Sequence, residues 1–176
     1  MYIPLSELSF MEPVPARREE VAALLNPLLD AKNESVRSSA LNAVKKWGTQ
    51  TNVPTLLKML EWKSLGDRWA AIEALGNIGG SKEAAKAIAD LMLDHGDMLT
   101  AARALEKMGS VAEDAVWPHV GSDDRLLHSS ACRVVGAVGT KKSLDKLQPL
   151  IKKETDIGHR VPMEIAVREI KKRLGK

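Results

Sequence analysis

Glycines stand at positions 48, 79, 109 and 139, separated by 31, 30 and 30 residues, and the residues before them repeat as well. Eight residues before each glycine stands Ala40, Ala71, Ala101 or Ala131, and five before stands Ala43, Ala74, Ala104 or Val134. Four before stands Val44, Leu75, Leu105 or Val135, and immediately before stands Trp47, Ile78, Met108 or Val138. Apolar residues at these offsets lie on one face of a helix. A single unit of about 30 residues cannot bury such a face alone, so neighbouring units must stack and share a core. Each glycine is expected just past the end of its helix, where it can take a positive φ without steric cost.

A less regular apolar pattern follows each glycine. It runs through Val53, Leu56, Leu57 and Leu60, then Ala84, Ala87, Ile88 and Leu91, then Val111, Ala115, Val116 and Val120, then Leu144, Leu147, Leu150 and Ile151. Each unit therefore reads as helix A, turn, helix B. Ser110 with Glu113 has the spacing of a capping box at the third B helix. Pro118 and Pro149 fall far enough into their B helices to delete an amide bond and bend them. The fold class expected is all-α, a right-handed α-solenoid or α-α superhelix. Its A helices fall near 35–47, 67–78, 97–108, 124–138 and 162–174, within a repeat region spanning 17–176. Residues 1–16, with Pro4, Pro13 and Pro15, read as an extended N-terminal arm whose Tyr2, Ile3, Leu5, Leu8 and Phe10 cap exposed core. The register opens on an orphan B helix and closes on an orphan A helix, which reads as a module of a longer chain.

Composition agrees with this reading. Aromatic residues make up only 3% of the 176 residues, and the hydrophobic fraction of 44% is enough for one continuous core. Close packing through alanine suits helices better than sheets. The single cysteine, Cys132, excludes an intramolecular disulfide and a multi-cysteine zinc site, and fits a cytoplasmic protein. No apolar run is long enough to span a membrane. The net charge of +3 is unevenly spread: residues 140–176 carry eleven Lys or Arg against five Asp or Glu.

The A-helix segment Val36-Arg37-Ser38-Ser39-Ala40-Leu41-Asn42-Ala43-Val44, its echo from Arg68 to Gly79, and Val53-Pro54-Thr55-Leu56-Leu57 together resemble short HEAT repeats of the phycobilin-lyase-like type, an armadillo-like architecture. The resemblance covers residues 19 to 174. It implies HEAT-like helix-turn-helix repeats and, in most such proteins, a protein-interaction scaffold, with a minority handling bilin chromophores or damaged DNA. The family's arginine near the start of helix A matches Arg37 and Arg68, whereas Met98 and His128 replace it in the later repeats.

Residues with catalytic chemistry do not converge. No phosphate-binding glycine loop or nucleophile elbow is present, and His95, His119, His128 and His159 form no close pair on a helix face. No metal, cofactor or catalytic residue is expected, and Cys132 reads as a small buried hydrophobe. Trp47 and Trp117 read as core. Trp62 and Trp69 fall off the apolar faces and are candidates for contact with a partner. Only Trp69 has an acid one turn away, Glu73, so the pairing of tryptophan and catalytic acid found in HEAT-like DNA glycosylases is not supported.

The function expected is a non-catalytic scaffold binding another protein through the concave face of its B helices, with Lys58, Glu61, Trp62, Trp69, Lys86, Asp90, His119 and Lys146 as partner-binding residues. The alternative is nucleic-acid binding by the basic end, through Lys141, Lys142, Lys152, Lys153, Arg168, Lys171, Lys172 and Arg173.

Overall fold

A computed structural model describes residues 4–175. Every regular element among them is helical, and no strand occurs. In chain order the α-helices are α1 (Leu5–Leu8), α2 (Arg18–Leu29), α3 (Glu34–Trp47), α4 (Val53–Met59), α5 (Leu65–Ile78), α6 (Lys82–Leu91), α7 (His95–Met108), α8 (Glu113–Val116), α9 (Arg125–Val138), α10 (Lys141–Lys153) and α11 (Ile157–Arg173). Short 3-10 turns at Pro15–Arg17, Gln50–Asn52, Gly109–Ala112 and Trp117–Gly121 complete the elements. The chain divides into two compact units, Met1–Ala84 and Ala85–Lys176, with the division falling inside α6. This is an all-α repeat fold of the solenoid class, in which A helices alternate with shorter B elements.

One capping residue starts each A helix. Asn33, Ser64, Asp94, Asp124 and Asp156 each accept a hydrogen bond from a backbone N–H of the first turn. Such a cap stabilises a helix start by about 1 kcal/mol. From there α3, α5, α7 and α9 all run 14 residues, and each ends at the residue before the periodic glycine.

Those glycines serve two different purposes. Gly79 and Gly109 have the expected positive φ, 65° and 68°, with ψ of −169° and −148°, a backbone region open essentially to glycine alone. Gly48 and Gly139 instead have φ of −58° and −60°, which any residue can adopt. They are glycines because there is no room. A Cβ on Gly48 would lie 2.5 Å from the Val44 carbonyl oxygen and 2.9 Å from Cδ1 of Ile78, and one on Gly139 would meet the Val135 oxygen and Ile170 Cδ1 at the same distances. The last apolar residue of one A helix thus seats on the glycine of the preceding one.

In the first unit, Ala22, Leu25 and Leu29 of α2 are buried, as are Ala40, Leu41, Val44 and Trp47 of α3 and Ala71, Ile72 and Leu75 of α5. Asn52 lies in this core without exposure. Its amide donates to the Ala22 carbonyl and to Asn26 Oδ1, each at 2.8 Å, while its own oxygen accepts from the N–H of Thr49. The N-terminal segment is not extended throughout, because Leu5–Leu8 makes a helical turn beside α3. Trp47 Nε1 donates to the Leu8 carbonyl at 2.9 Å, and Lys46 pairs with Glu12 at 3.0 Å. Phe10 does not contribute to a cap, since it is 84% exposed, and Tyr2 and Ile3 lie outside the described residues.

In the second unit the B element after α7 departs from a plain helix. It runs as a 3-10 turn, the four residues of α8, and a second 3-10 turn that begins at Trp117-Pro118. The capping box expected of Ser110 and Glu113 does not form. Glu113 is buried and reaches the start of α10, accepting from the backbone N–H of Thr140 at 2.9 Å and of Ser143 at 3.1 Å, and from both their hydroxyls. Burial raises the proton affinity of this carboxyl, but the bonds from Ser143 and Thr140 outweigh that and hold it below the usual carboxylate range. The last helix, α11, begins at Ile157, five residues earlier than Pro162. Asp156 caps it by accepting from Gly158, so the proline sits inside the helix and forfeits a single bond to the Gly158 carbonyl.

Candidate interaction surface

The arginine register near the start of helix A builds a recurring joint. Arg37 Nη1 donates to the Ala31 carbonyl at 3.0 Å, just past α2, while Nε and Nη2 both reach Asp67 Oδ2 at 2.9 Å on α5. Arg68, at the same register, donates from Nη1 to the Trp62 carbonyl at 2.9 Å. In α9 His128 takes the position, with Nδ1 2.7 Å from the Val120 carbonyl oxygen and Nε2 2.9 Å from that of His159. Met98 is buried in α7 and accepts from the Ser130 hydroxyl through sulfur at 3.3 Å. In α11 an arginine returns as Arg160, 3.5 Å from Glu164. Arg37, Arg68 and His128 thus tie the end of the preceding B element to the A helix that carries them, whereas the contacts of Met98 and Arg160 do not.

The first unit places Lys58 and Glu61 in the open at the end of α4. Trp62, next in sequence, is half-buried, and the Arg37 guanidinium carbon sits 5.1 Å from its ring centroid. A cation–π contact therefore backs the ring, and the cation is itself held by Asp67. Trp69 is 39% exposed on α5. Its acid neighbour Glu73 is paired with Lys45 at 2.6 Å, so its carboxylate is engaged in a surface ion pair.

In the second unit Lys86 and Asp90 are exposed on α6. Lys146 on α10 is half-buried because its ammonium lies 4.5 Å from the centroid of Trp117. Trp117 is only half-buried, contrary to its assignment to the core, and it was the residue that sequence reasoning missed. The signal that could have found it is Pro118, which converts the chain there to a 3-10 turn and rotates the indole off the helical register. His119 moves the other way. It is buried, at 9% exposure, and offers a partner almost no surface.

The basic end is partly engaged inside the unit. Lys142 pairs with Asp114 and Lys141 with Asp145. Arg173 donates to the carbonyls of Gly136, at 2.8 Å, and of Ala137 and Gly139, closing the C-terminus of α9. Arg168, Lys171 and Lys172 are exposed on α11. Among the described residues no group of three or more His, Cys, Asp or Glu is placed to hold a metal ion, and no helix is long and apolar enough to cross a membrane. Cys132 is fully buried, and burial pushes its thiol up to about 12, which removes the thiolate needed of a nucleophile.

Residues 21–106 match the family model of HEAT repeats. The fold is similar to an engineered protein solved by the Northeast Structural Genomics Consortium, with a TM-score of 0.58 and 19% identity over 96% of this chain and 89% of that one. A second engineered protein from the same consortium gives a TM-score of 0.56 and 21% identity over 95% of this chain and 52% of that one. Comparison with curated proteins finds no match.

Proposed function

We propose, from the premise that this is a HEAT-repeat protein by its match over residues 21–106, that it is a non-catalytic scaffold binding another protein through the face of its B helices. HEAT repeats are generally protein-interaction scaffolds. The observation that carries the reading here is the pairing of a half-exposed tryptophan with a cation at two B elements, Trp62 with Arg37 and Trp117 with Lys146. Large aromatic rings and arginine dominate binding energy in protein interfaces, and a cation–π pair strengthens as a partner removes water from it. The B helices also carry exposed groups of both signs, Lys58 and Glu61 at the end of α4 and Lys86 and Asp90 on α6. A mixed-charge surface of this kind selects a partner by pattern and excludes like-charged competitors.

The test is site-specific photo-crosslinking in cells of the source organism. A photoreactive residue is placed at Lys58, Glu61, Lys86 or Lys146, and at Leu99 and Arg103 on the outer side of α7 as controls. Adducts of one defined mass at the B-element positions, lost in Trp62→Ala and Trp117→Ala, are expected. Equal labelling from Leu99 and Arg103, or labelling indifferent to both tryptophan changes, would sink the reading.

A further inference from the structure

His128 is enclosed, with 1% exposure, and both its ring nitrogens face carbonyl oxygens. Nδ1 is 2.7 Å from the Val120 oxygen at the end of the second 3-10 turn, and Nε2 is 2.9 Å from the His159 oxygen in the first turn of α11. A carbonyl oxygen only accepts, and a neutral imidazole has one N–H to give. Both contacts are hydrogen bonds only when the ring carries two protons. In the neutral ring one nitrogen would turn a lone pair on a carbonyl oxygen at hydrogen-bond distance.

The same environment holds a substitute donor. Cys132, one turn along α9, has its sulfur 3.6 Å from His128 Nε2 and 4.0 Å from Nδ1. We propose that His128 is a proton-operated latch: as imidazolium it ties the first turn of α11 to the end of the 3-10 turn, and as neutral imidazole it keeps Val120, releases His159, and accepts the Cys132 S–H at Nε2. The thiol keeps its proton at neutral and acid pH, since burial has raised it to about 12. No covalent step is involved. One proton leaves to solvent, one charge-assisted bond is lost, and a weak sulfur bond replaces it.

Solvent reaches the latch through a cavity of about 370 Å³ that both histidines line. The titratable groups facing His128 come from several elements. The bend after the 3-10 turn supplies Asp123, the end of α10 supplies Lys153 and Glu154, and α11 supplies His159. His159 has Nε2 3.3 Å from the Ser122 oxygen and Nδ1 3.8 Å from Asp156, and its ring meets that of His128 edge-on at 4.6 Å. On the neighbouring helices, His95 of α7 is bonded to Asp124 at 2.7 Å, Glu106 of α7 is paired with Arg133, and Glu113 of α8 is committed to α10. The sign follows from the bond count. The latch is closed where His128 is protonated and opens as pH rises and the ring gives up one proton.

The test uses the full chain with 15N-labelled histidine. Imidazole nitrogen spectra, recorded over the pH range in which the chain stays folded, should show His128 doubly protonated at the acid end, with both nitrogens at imidazolium shifts. Hydrogen exchange, corrected for the intrinsic effect of pH, should show protection of the Arg160, Val161 and Met163 amides falling about tenfold as pH rises, the size expected of one charge-assisted hydrogen bond. His128→Arg supplies permanent donors at a position where Arg37 already bridges both neighbours, and should hold protection flat. Cys132→Ala removes the substitute donor and should shift the opening to higher pH. A His128 ring that is singly protonated across the range, or a fall in protection that survives in His128→Arg, overturns the latch. So does a fall abolished by His159→Gln while His128→Arg leaves it intact. Should His128→Arg fail to fold, the nitrogen spectra of the unaltered chain decide alone.

Discussion

The carboxylate of Glu113 receives the hydroxyl of Ser143 at 2.6 Å across thirty residues of sequence, and with it the free backbone N–H groups that begin α10. A residue of one B element thus caps the next. The carboxyl is held below its ordinary value of 4.5, so its contribution to stability is fully present above that value and is lost as pH falls below it. Glu113→Ala should lower stability by about 2 kcal/mol at neutral pH, through lost capping and stranded donors. Denaturant melts at successively lower pH should show the gap between the two proteins closing. A constant gap would mean the carboxylate is not the source.

Arg37 and Asp67 form a nearly buried pair that also fixes Trp62. Removing one partner leaves a charge without compensation, and Arg37→Ala should cost about 3 kcal/mol. Arg37→Lys should recover only part of this, because an ammonium cannot serve the Ala31 carbonyl, Asp67 and the indole face together. Urea unfolding followed by tryptophan emission checks both values. An Arg37→Lys protein as stable as the parent would show that the multiple contacts contribute nothing.

The two kinds of periodic glycine predict opposite rankings from those of φ alone. Gly79→Ala meets open space and suffers only from a backbone conformation that is essentially glycine's own, about 1 to 3 kcal/mol. Gly48→Ala has an ordinary φ yet drives its Cβ into the Val44 carbonyl and Ile78, and should cost more than Gly79→Ala. Gly66, inside α5 with nothing near its absent side chain, should gain about 0.5 kcal/mol as alanine. Three thermal melts establish the order.

The basic residues of α11 separate into two sets. Arg168→Glu, Lys171→Glu and Lys172→Glu together should change stability by less than about 1 kcal/mol, since exposed charges contribute little. Arg173→Ala should cost about 1 to 2 kcal/mol by opening the end of α9. Fluorescence anisotropy with duplex and single-stranded nucleic acid, at low and physiological salt, tests the competing role. Binding that survives physiological salt and disappears in the triple variant would favour nucleic acid over a protein partner.

Much of the fold was legible because the A-helix core repeats in residue type. Ala40, Ala71, Ala101 and Ala131 are all without exposure, and the apolar residues before each glycine are all buried apart from half-exposed Ile78. The parts that were not legible depend on contacts between repeats. Nothing local distinguishes Gly48 from Gly79, because the difference lies in Ile78 arriving from the next helix. Glu113 sits three residues after a serine and so imitates a capping box, yet its partners are in another element. His119 and Trp117 exchanged expected roles because one 3-10 turn altered the helical register.

The glycine seats act as a length standard. A side chain from the end of one A helix must land on a site with no tolerance for an extra carbon, so an added or deleted residue upstream would rotate it by about a quarter turn or more and lift it from the seat. α3 and α9, which end at the two seats, and α5, which fills the first, each run 14 residues, whereas the α-helical parts of the B elements vary from 4 to 13 residues. Variation in such a chain is therefore channelled into the B elements. The A helices keep the count, and the B elements are free to diverge in length and shape without putting their neighbours out of step.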